Sequence, residues 1–248
     1  MTSTVERPRV ADPGDVTGSG RVGLGSGLAA WLYPWGLVAA LAVTSVLARI
    51  PGMARPLTND EGGFLMVAAQ WAPGSSLYGN YWVDRPPLII GLFQLADLLG
   101  GGPVALRLLG AAWVAASVVL AGVLAAVVGR VARPTHGAGL SPAWGAAVAA
   151  AFLVTPVFDP IEIDGELLAV PFVLAGIAVV LMGHLADARR SSLAWWALAG
   201  GLAVAAAAVK QSMLDVFVAA AVVLVAQVAR SPGRAATAAL AFVGGGGL

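Results

Sequence analysis

Residues 104–129 form a run of twenty-six positions that carries a single charge, Arg107. As a helix this run would be about 39 Å long, more than the ~30 Å of bilayer hydrocarbon. Only structures that pair all their backbone groups internally survive in lipid, so the run is expected to be a membrane helix. Comparable apolar segments at 28–50, 142–158, 167–186, 193–209 and 211–228 bring the expected spans to six, and 235–248 begins a seventh that stops in Gly244-Gly245-Gly246-Gly247. Composition agrees, with 59% hydrophobic and 11% charged residues against about 25% charged in soluble domains. The expected fold is therefore an all-α polytopic membrane protein.

Fourteen basic and thirteen acidic residues leave a net charge of +1, too little to gather nucleic acid by its field. The absence of cysteine excludes disulfides, thiolate metal sites and cysteine nucleophiles from this chain. Residues 1–27 are polar, small and rich in Pro, Gly and Ser, and read as a disordered cytoplasmic tail. Gly18-Ser-Gly20-Arg-Val-Gly23 fits a dinucleotide fingerprint in letters only, since no strand precedes it. The remaining residues, 28–248, form one membrane domain with a long outer loop at 51–103, and the short seventh segment suggests a domain that continues past its last residue.

Charge placement gives the orientation. With the N-terminus cytoplasmic, the inner segments hold nine basic residues, Arg7, Arg9, Arg21, Arg130, Arg133, Arg189, Arg190, Arg230 and Arg234, as the positive-inside rule requires. The outer side then holds Asp60, Glu61, Asp84, Asp97, Asp159, Glu162, Asp164, Glu166 and Asp215 with Arg49, Arg55, Arg85, Arg107 and Lys210. Groups able to do chemistry thus gather on the outer face of what reads as a multi-pass plasma-membrane protein. The abundance of Arg, Gly and Ala suggests a high-GC bacterial gene. Most Trp residues (Trp31, Trp35, Trp71, Trp82, Trp144, Trp195 and Trp196) fall near span ends or in the outer loop, where interfacial anchoring is the expected role.

Within the outer loop, Thr58-Asn-Asp60-Glu61 reads as a capping box, with the Thr58 hydroxyl on the Glu61 amide and the Glu61 carboxylate reaching back. The helix it opens runs to about Trp71 and carries Phe64, Val67, Ala68 and Trp71 on one face, a stripe suited to lying along the membrane surface; Pro73-Gly74 ends it. A second helix starts at Arg85-Pro86-Pro87, since Pro is tolerated in a first turn, and runs to Leu99. At about 20 Å it is too short to span, so two juxtamembrane helices are expected in this loop. Gln94 and Asp97 share a face that should avoid lipid. Arg107 lies one turn into the next span and is placed to look into an outer cavity.

The order Asn59-Asp60-Glu61, Leu77-Tyr78, Asp84-Arg85-Pro86-Pro87-Leu88, Arg107-Leu108, Asp164-Gly-Glu166 and Lys210 after a small-residue span resembles the polyprenyl-phosphate-sugar-dependent glycosyltransferases of the C-type membrane fold. These are the superfamily of protein O-mannosyltransferases and lipid A aminoarabinose transferases, and the resemblance covers about 28–215. It implies transfer of a sugar, with inversion, from an undecaprenyl- or decaprenyl-phosphate donor to a glycan, protein or lipid acceptor on the extracytoplasmic face. It also implies that Asp60-Glu61 is the family's acidic pair at the start of a juxtamembrane helix, and that Glu166 is its acid at the head of a span. The family's Lys-Pro-Pro is Arg85-Pro86-Pro87 here, which keeps the charge and changes its shape.

Such chemistry needs a base for the acceptor hydroxyl and a cation for the departing phosphate. Asp60 is the candidate base or acceptor-positioning carboxylate, supported by Glu61; the competing account is that both acids only cap a helix and complement its dipole. Arg85, Arg107 and Lys210 are the candidate phosphate contacts. Each Arg has an alternative as a structural ion pair with Asp60 or Asp84, and Lys210 as a snorkelling anchor. Asp159, Glu162, Asp164 and Glu166 crowd one outer turn, and such neighbours raise each other's pKa unless a cation offsets them. Asp164 and Glu166 therefore read either as ligands, with the sugar phosphate, of a hard divalent cation (Mg2+, Mn2+ or Ca2+), or as a solvated acidic turn. Asp215 is placed to pair with Lys210 or to face the cavity. His136 and His184 lie toward the inner side and read as non-catalytic. A transporter or lipid flippase is the alternative class, since intramembrane charge also marks transport paths, although the repeated halves and broken midplane helices of transporters are not evident. A catalytically inactive scaffold is the third.

Overall fold

In the computed structural model, which describes residues 24–71, 84–132, 141–155 and 161–247, every regular element is helical. Helix α1 (Leu24–Leu47) is followed by a 3-10 turn at Ile50–Gly52, then by α2 (Asn59–Ala69), α3 (Pro87–Leu98), α4 (Gly102–Ala132) and α5 (Ser141–Val154). The chain continues through α6 (Gly165–Leu185), α7 (Arg189–Val209), α8 (Asp215–Val228) and α9 (Pro232–Gly246). Four segments are long and apolar enough to cross a membrane: Leu32–Gly52, Gly102–Ala132, Gly165–Leu185 and Arg189–Val209. With fourteen residues each, α5 and α8 are about 21 Å long, short of the hydrocarbon thickness. The four long apolar helices are compatible with a membrane protein.

Local chemistry sets several helix starts. Thr58 is extended (φ −71°, ψ 170°) and forms the expected reciprocal capping box with Glu61. Pro86, also extended, precedes α3, whose first residue is Pro87. Asp164 caps α6 by accepting a hydrogen bond from the Leu167 amide at 2.7 Å. Between α3 and α4, Gly100, Gly101 and Gly102 all have positive φ (108°, 66° and 72°), a path that costs residues with a Cβ steric energy. Helix α1 begins at Leu24, inside the segment expected to be tail. The rest of that tail with its glycine fingerprint, Pro73-Gly74, Leu77-Tyr78, Trp82, Arg133, His136 and Asp159 lie outside the described residues.

Helices in lipid gain little from hydrophobicity and associate through close packing, which favours small residues at contacts. Gly200 faces the Phe242 carbonyl and Gly245 faces Ala197 so closely that a Cβ on either would lie 1.9 Å from backbone oxygen. Helix α9 ends in the glycine run at Gly246, and within that run Gly245 and Gly246 are the surface on which α9 rests against α7. Gly145 meets the Ala121 backbone of α4, and Gly176 meets the Val216 side chain of α8. Trp196, expected at an interface, is instead fully buried in α7, edge-on to Phe242 at 6.4 Å. Trp144 stays exposed.

These contacts set helix directions. Glu61 bonds both Arg107, near the start of α4, and Ile163, just before α6, so α4 and α6 run away from a common end. Helix α7 returns to that end, where Lys210 meets Glu166, and α8 leaves again beside α6. The apolar stripe of α2 does not lie free on a surface. Ala68 is buried, and Phe64, Val67 and Trp71 pack on α3 and its neighbours, with Phe64 edge-on to Phe93 at 5.4 Å. Ile90, Phe93, Leu106, Ile163 and Leu168 complete this core, which forms the floor beneath the charged residues at this end of the bundle.

Candidate functional site

A four-residue strap, Ile161–Asp164, crosses the common end of the bundle and is fixed at each position. The Ile161 carbonyl accepts from buried Arg49 at 3.3 Å. Glu162 Oε1 accepts from the Thr58 hydroxyl at 3.0 Å. The Ile163 amide donates to Glu61 Oε1 at 2.7 Å, and Asp164 caps α6. The strap's two isoleucines sit against glycines: a Cβ on Gly52 would meet Ile161 and one on Gly110 would meet Ile163.

Glu61 and Arg107 anchor this arrangement. Both are buried, with side chains 0% and 4% exposed, and they form a two-pronged ion pair in which Arg107 Nη2 donates to Glu61 Oε2 at 2.9 Å and Nη1 donates to Oε1. Oε2 also accepts from the Thr58 amide at 2.9 Å, and Arg107 Nη2 reaches the Pro56 carbonyl at 3.3 Å. Burial by itself would raise the Glu61 pKa. The Arg107 hydrogen bonds and charge, with the amides of Thr58 and Ile163, outweigh that and hold the carboxyl below its ordinary value. Arg107 therefore does not look into an outer cavity, as its position one turn into a span had suggested; its charge is spent on Glu61.

Beside the strap lies a cavity of about 460 Å3, within the range of small-molecule sites. Its wall includes Asp60, Arg85, Glu162, Asp164, Glu166 and Lys210, with Phe64, Ile89 and Val209 on its apolar side. Five of the seven expected site residues (Asp60, Arg85, Asp164, Glu166 and Lys210) meet there, whereas Glu61 and Arg107 stand behind the wall and hold it. Lys210 caps the C-terminal end of α7 and pairs with Glu166 of α6. Asp215, in the first turn of α8 and exposed, is not the partner of Lys210. Arg85 lies 3.8 Å from Asp84 and over the Phe64 ring at 5.8 Å. Asp60 makes no hydrogen bond or ion pair with any described residue.

The crowded acids are relieved one by one through separate partners, Thr58 for Glu162, the Leu167 amide for Asp164 and Lys210 for Glu166. Among the described residues, no three His, Asp or Glu side chains are grouped to hold a metal ion. Two wall residues escaped the sequence reading. Gln211 and Ser212 had been placed in a span, but α7 ends at Val209 and α8 begins at Asp215, leaving both exposed in the turn that lines the cavity. The charge of Lys210 just before them was the signal for that turn.

Fold and site together define a helical protein with membrane-length apolar helices and, at one end, a cavity in which carboxylates and cations face a common space. No family model, curated protein or solved structure matches the chain.

Proposed function

We propose that the protein is a multi-pass membrane glycosyltransferase that takes a sugar from a polyprenyl-phosphate donor and delivers it to an acceptor hydroxyl on the extracytoplasmic face. The observation that carries this reading is the Asp60 carboxylate, without a partner among the described residues, in the same cavity as Lys210 and Arg85. Asp60 takes the proton of the acceptor hydroxyl as the acceptor oxygen forms its bond to the anomeric carbon. The bond from that carbon to the phosphate oxygen breaks, its electron pair leaves with the phosphate, and Lys210 and Arg85 stabilise that charge. In-line attack inverts the anomeric centre. Glu61 and Arg107 are positioning residues, holding the strap and the start of α2 so that Asp60 faces the cavity. Lys210 and Arg85 supply charge neutralisation, and a divalent cation held by Asp164, Glu166 and the sugar phosphate would add to it.

The orientation belongs to the same proposal. Arg130, Arg189, Arg190, Arg230 and Arg234 lie at the helix ends away from the cavity, the distribution expected when those ends are cytoplasmic. The alternating helix directions suit six crossings, with α5 and α8 the short ones and α9 a partial seventh. The test is Asp60→Asn in the full-length chain, with transfer measured from a radiolabelled polyprenyl-phosphate sugar. A loss of at least about 100-fold is expected for removal of a general base. Undiminished turnover at normal expression would rule out the assignment.

A further inference from the structure

At the far end of the bundle, one length of α7 or about 30 Å from the first cavity, lies a second cavity of about 250 Å3. Its wall includes Asp187, Arg189, Ser192, Gln227, Arg234 and Thr237. Two helices begin here without a side-chain cap, α7 after Ala188 and α9 after Ser231, and neither has an acid in its first turn. Those first turns instead carry Arg189, Arg190 and Arg234, cations at the positive end of a helix dipole, where acids are the stabilising choice. An anion between the two helix starts resolves the conflict, because the free amides, both dipoles and the two wall arginines then all act on one negative charge.

An independent feature points to the same space. Gln227 lines the cavity, is 7% exposed, and its Oε1 is fully buried without a hydrogen-bond partner. A buried amide oxygen left in this state costs stability, and a ligand hydroxyl that reaches it from the cavity would supply the missing donor. Asp187 offers a second acceptor to such a hydroxyl. Two arginines against one aspartate leave the wall at +1, matched to a singly charged phosphodiester. Ser192 and Thr237 already donate their hydroxyls to backbone carbonyls, Ser192 to Gly183 at 2.8 Å and Thr237 to Arg234 at 3.0 Å. Their oxygens remain available as acceptors. Leu193 and Ala238 supply an apolar side to the cavity, which suits the start of an acyl glycerol better than free phosphate.

We infer that this cavity binds the headgroup of an anionic phospholipid, its phosphodiester between Arg189 and Arg234 and its hydroxyls toward Gln227 and Asp187. The inference rests on a bilayer around the helices and is independent of sugar transfer. The test is native mass spectrometry of the full chain in detergent, titrated separately with dioleoylphosphatidylglycerol and dioleoylphosphatidylcholine. Each basic contact to an anionic headgroup is worth about fivefold, so phosphatidylglycerol should bind about 30-fold tighter than phosphatidylcholine. Arg189→Gln should cost about fivefold of that preference. This single change is safe for folding, since the Arg189 side chain makes no hydrogen bond or ion pair with a described residue, whereas Arg234 also holds the Ala186 carbonyl at 3.2 Å. The paired change Arg190→Gln with Arg230→Gln removes charge from the same end but not from the cavity wall, and should leave the preference intact. Equal retention of the two lipids overturns the inference. An equal loss in the Arg190/Arg230 variant also overturns it, in favour of diffuse surface charge, and full displacement of the lipid by millimolar inorganic phosphate overturns it in favour of a free-phosphate site.

Discussion

Replacing Glu61 with Gln tests the central tie of the structure. The change keeps shape but removes the negative charge opposite Arg107, whose side chain is 4% exposed and whose Nε is already buried without a partner. Breaking a buried pair from one side costs about 3–5 kcal/mol, because the surviving charge is left uncompensated. The Gln oxygen can still accept from one of the Thr58 and Ile163 amides but not serve both and Arg107, which adds the cost of a weakened cap. In detergent the unfolded helices find other polar partners, so the low end, about 3 kcal/mol, is the better figure. At 2–4 °C per kcal/mol for a chain of this size, Glu61→Gln should lower Tm by about 6–12 °C. Arg107→Met should cost a similar amount, and the double variant Glu61→Met with Arg107→Met should recover much of the loss, since an apolar pair of like volume avoids the stranded charge. The assay is thermal unfolding in one detergent of wild type, Glu61→Gln and the full cycle of Glu61→Met, Arg107→Met and the double variant. A Glu61→Gln protein that melts within 2 °C of wild type, an outcome far below the low-end figure, would refute the argument. So would strictly additive losses in the double variant.

Other outcomes follow from the same contacts. Because the folded-state pKa of Glu61 lies below its ordinary value of 4.5, its stabilising contribution is complete above that value and is lost as pH falls through the folded pKa. Wild-type Tm should thus drop in acid below about 4.5 more steeply than that of the Met/Met variant, measured in a pH series. Gly200→Ala would place a Cβ 1.9 Å from the Phe242 carbonyl and should destabilise by about 1–3 kcal/mol through overpacking, read by the same melt. Gly63→Ala in α2 meets nothing within 4 Å, and should be neutral or stabilising by up to about 1 kcal/mol from helix propensity. Asp164→Ala should cost about 0.5–2 kcal/mol as a lost cap, and Asp164→Ser should restore most of it.

Short-range chemistry was the part of the fold that could be read from the chain. Thr58-Asn-Asp60-Glu61 stated its capping box in four letters, and Pro86-Pro87 marked the start of α3, because these signals depend on neighbours in sequence. Five wall residues of the cavity were legible for another reason: charges are rare in so apolar a chain, and each one stands out. What could not be read was which charge meets which. Arg107 lies 46 residues from Glu61, and nothing local says that its guanidinium turns toward α2 rather than toward open space. Lys210 had Asp215 close in sequence and yet pairs with Glu166, since the turn through Gln211 and Ser212 carries Asp215 onto a new helix. The glycine run ends α9, as the sequence suggests, but its second role, packing Gly245 and Gly246 on α7, is not legible. Propensity counts Gly as a helix breaker, but tight contact with another backbone needs the missing side chain.

The Glu61–Arg107 tie also has a direction in time. Glu61 precedes Arg107 in the chain, so the carboxylate has already been made when the long apolar helix α4 leaves the ribosome. A lone arginine in a membrane helix carries an insertion penalty, about 2.5–3.5 kcal/mol at the helix centre and less near an end such as that of Arg107, and the partner that relieves it is waiting on the preceding segment. Reversing the order of the two residues would leave the same pair in the finished protein, but the arginine would then enter lipid before any partner existed. Read as a schedule, the buried pair favours a biogenesis in which α2 docks as α4 inserts, and the Ile163 amide joins last, once α6 has been made.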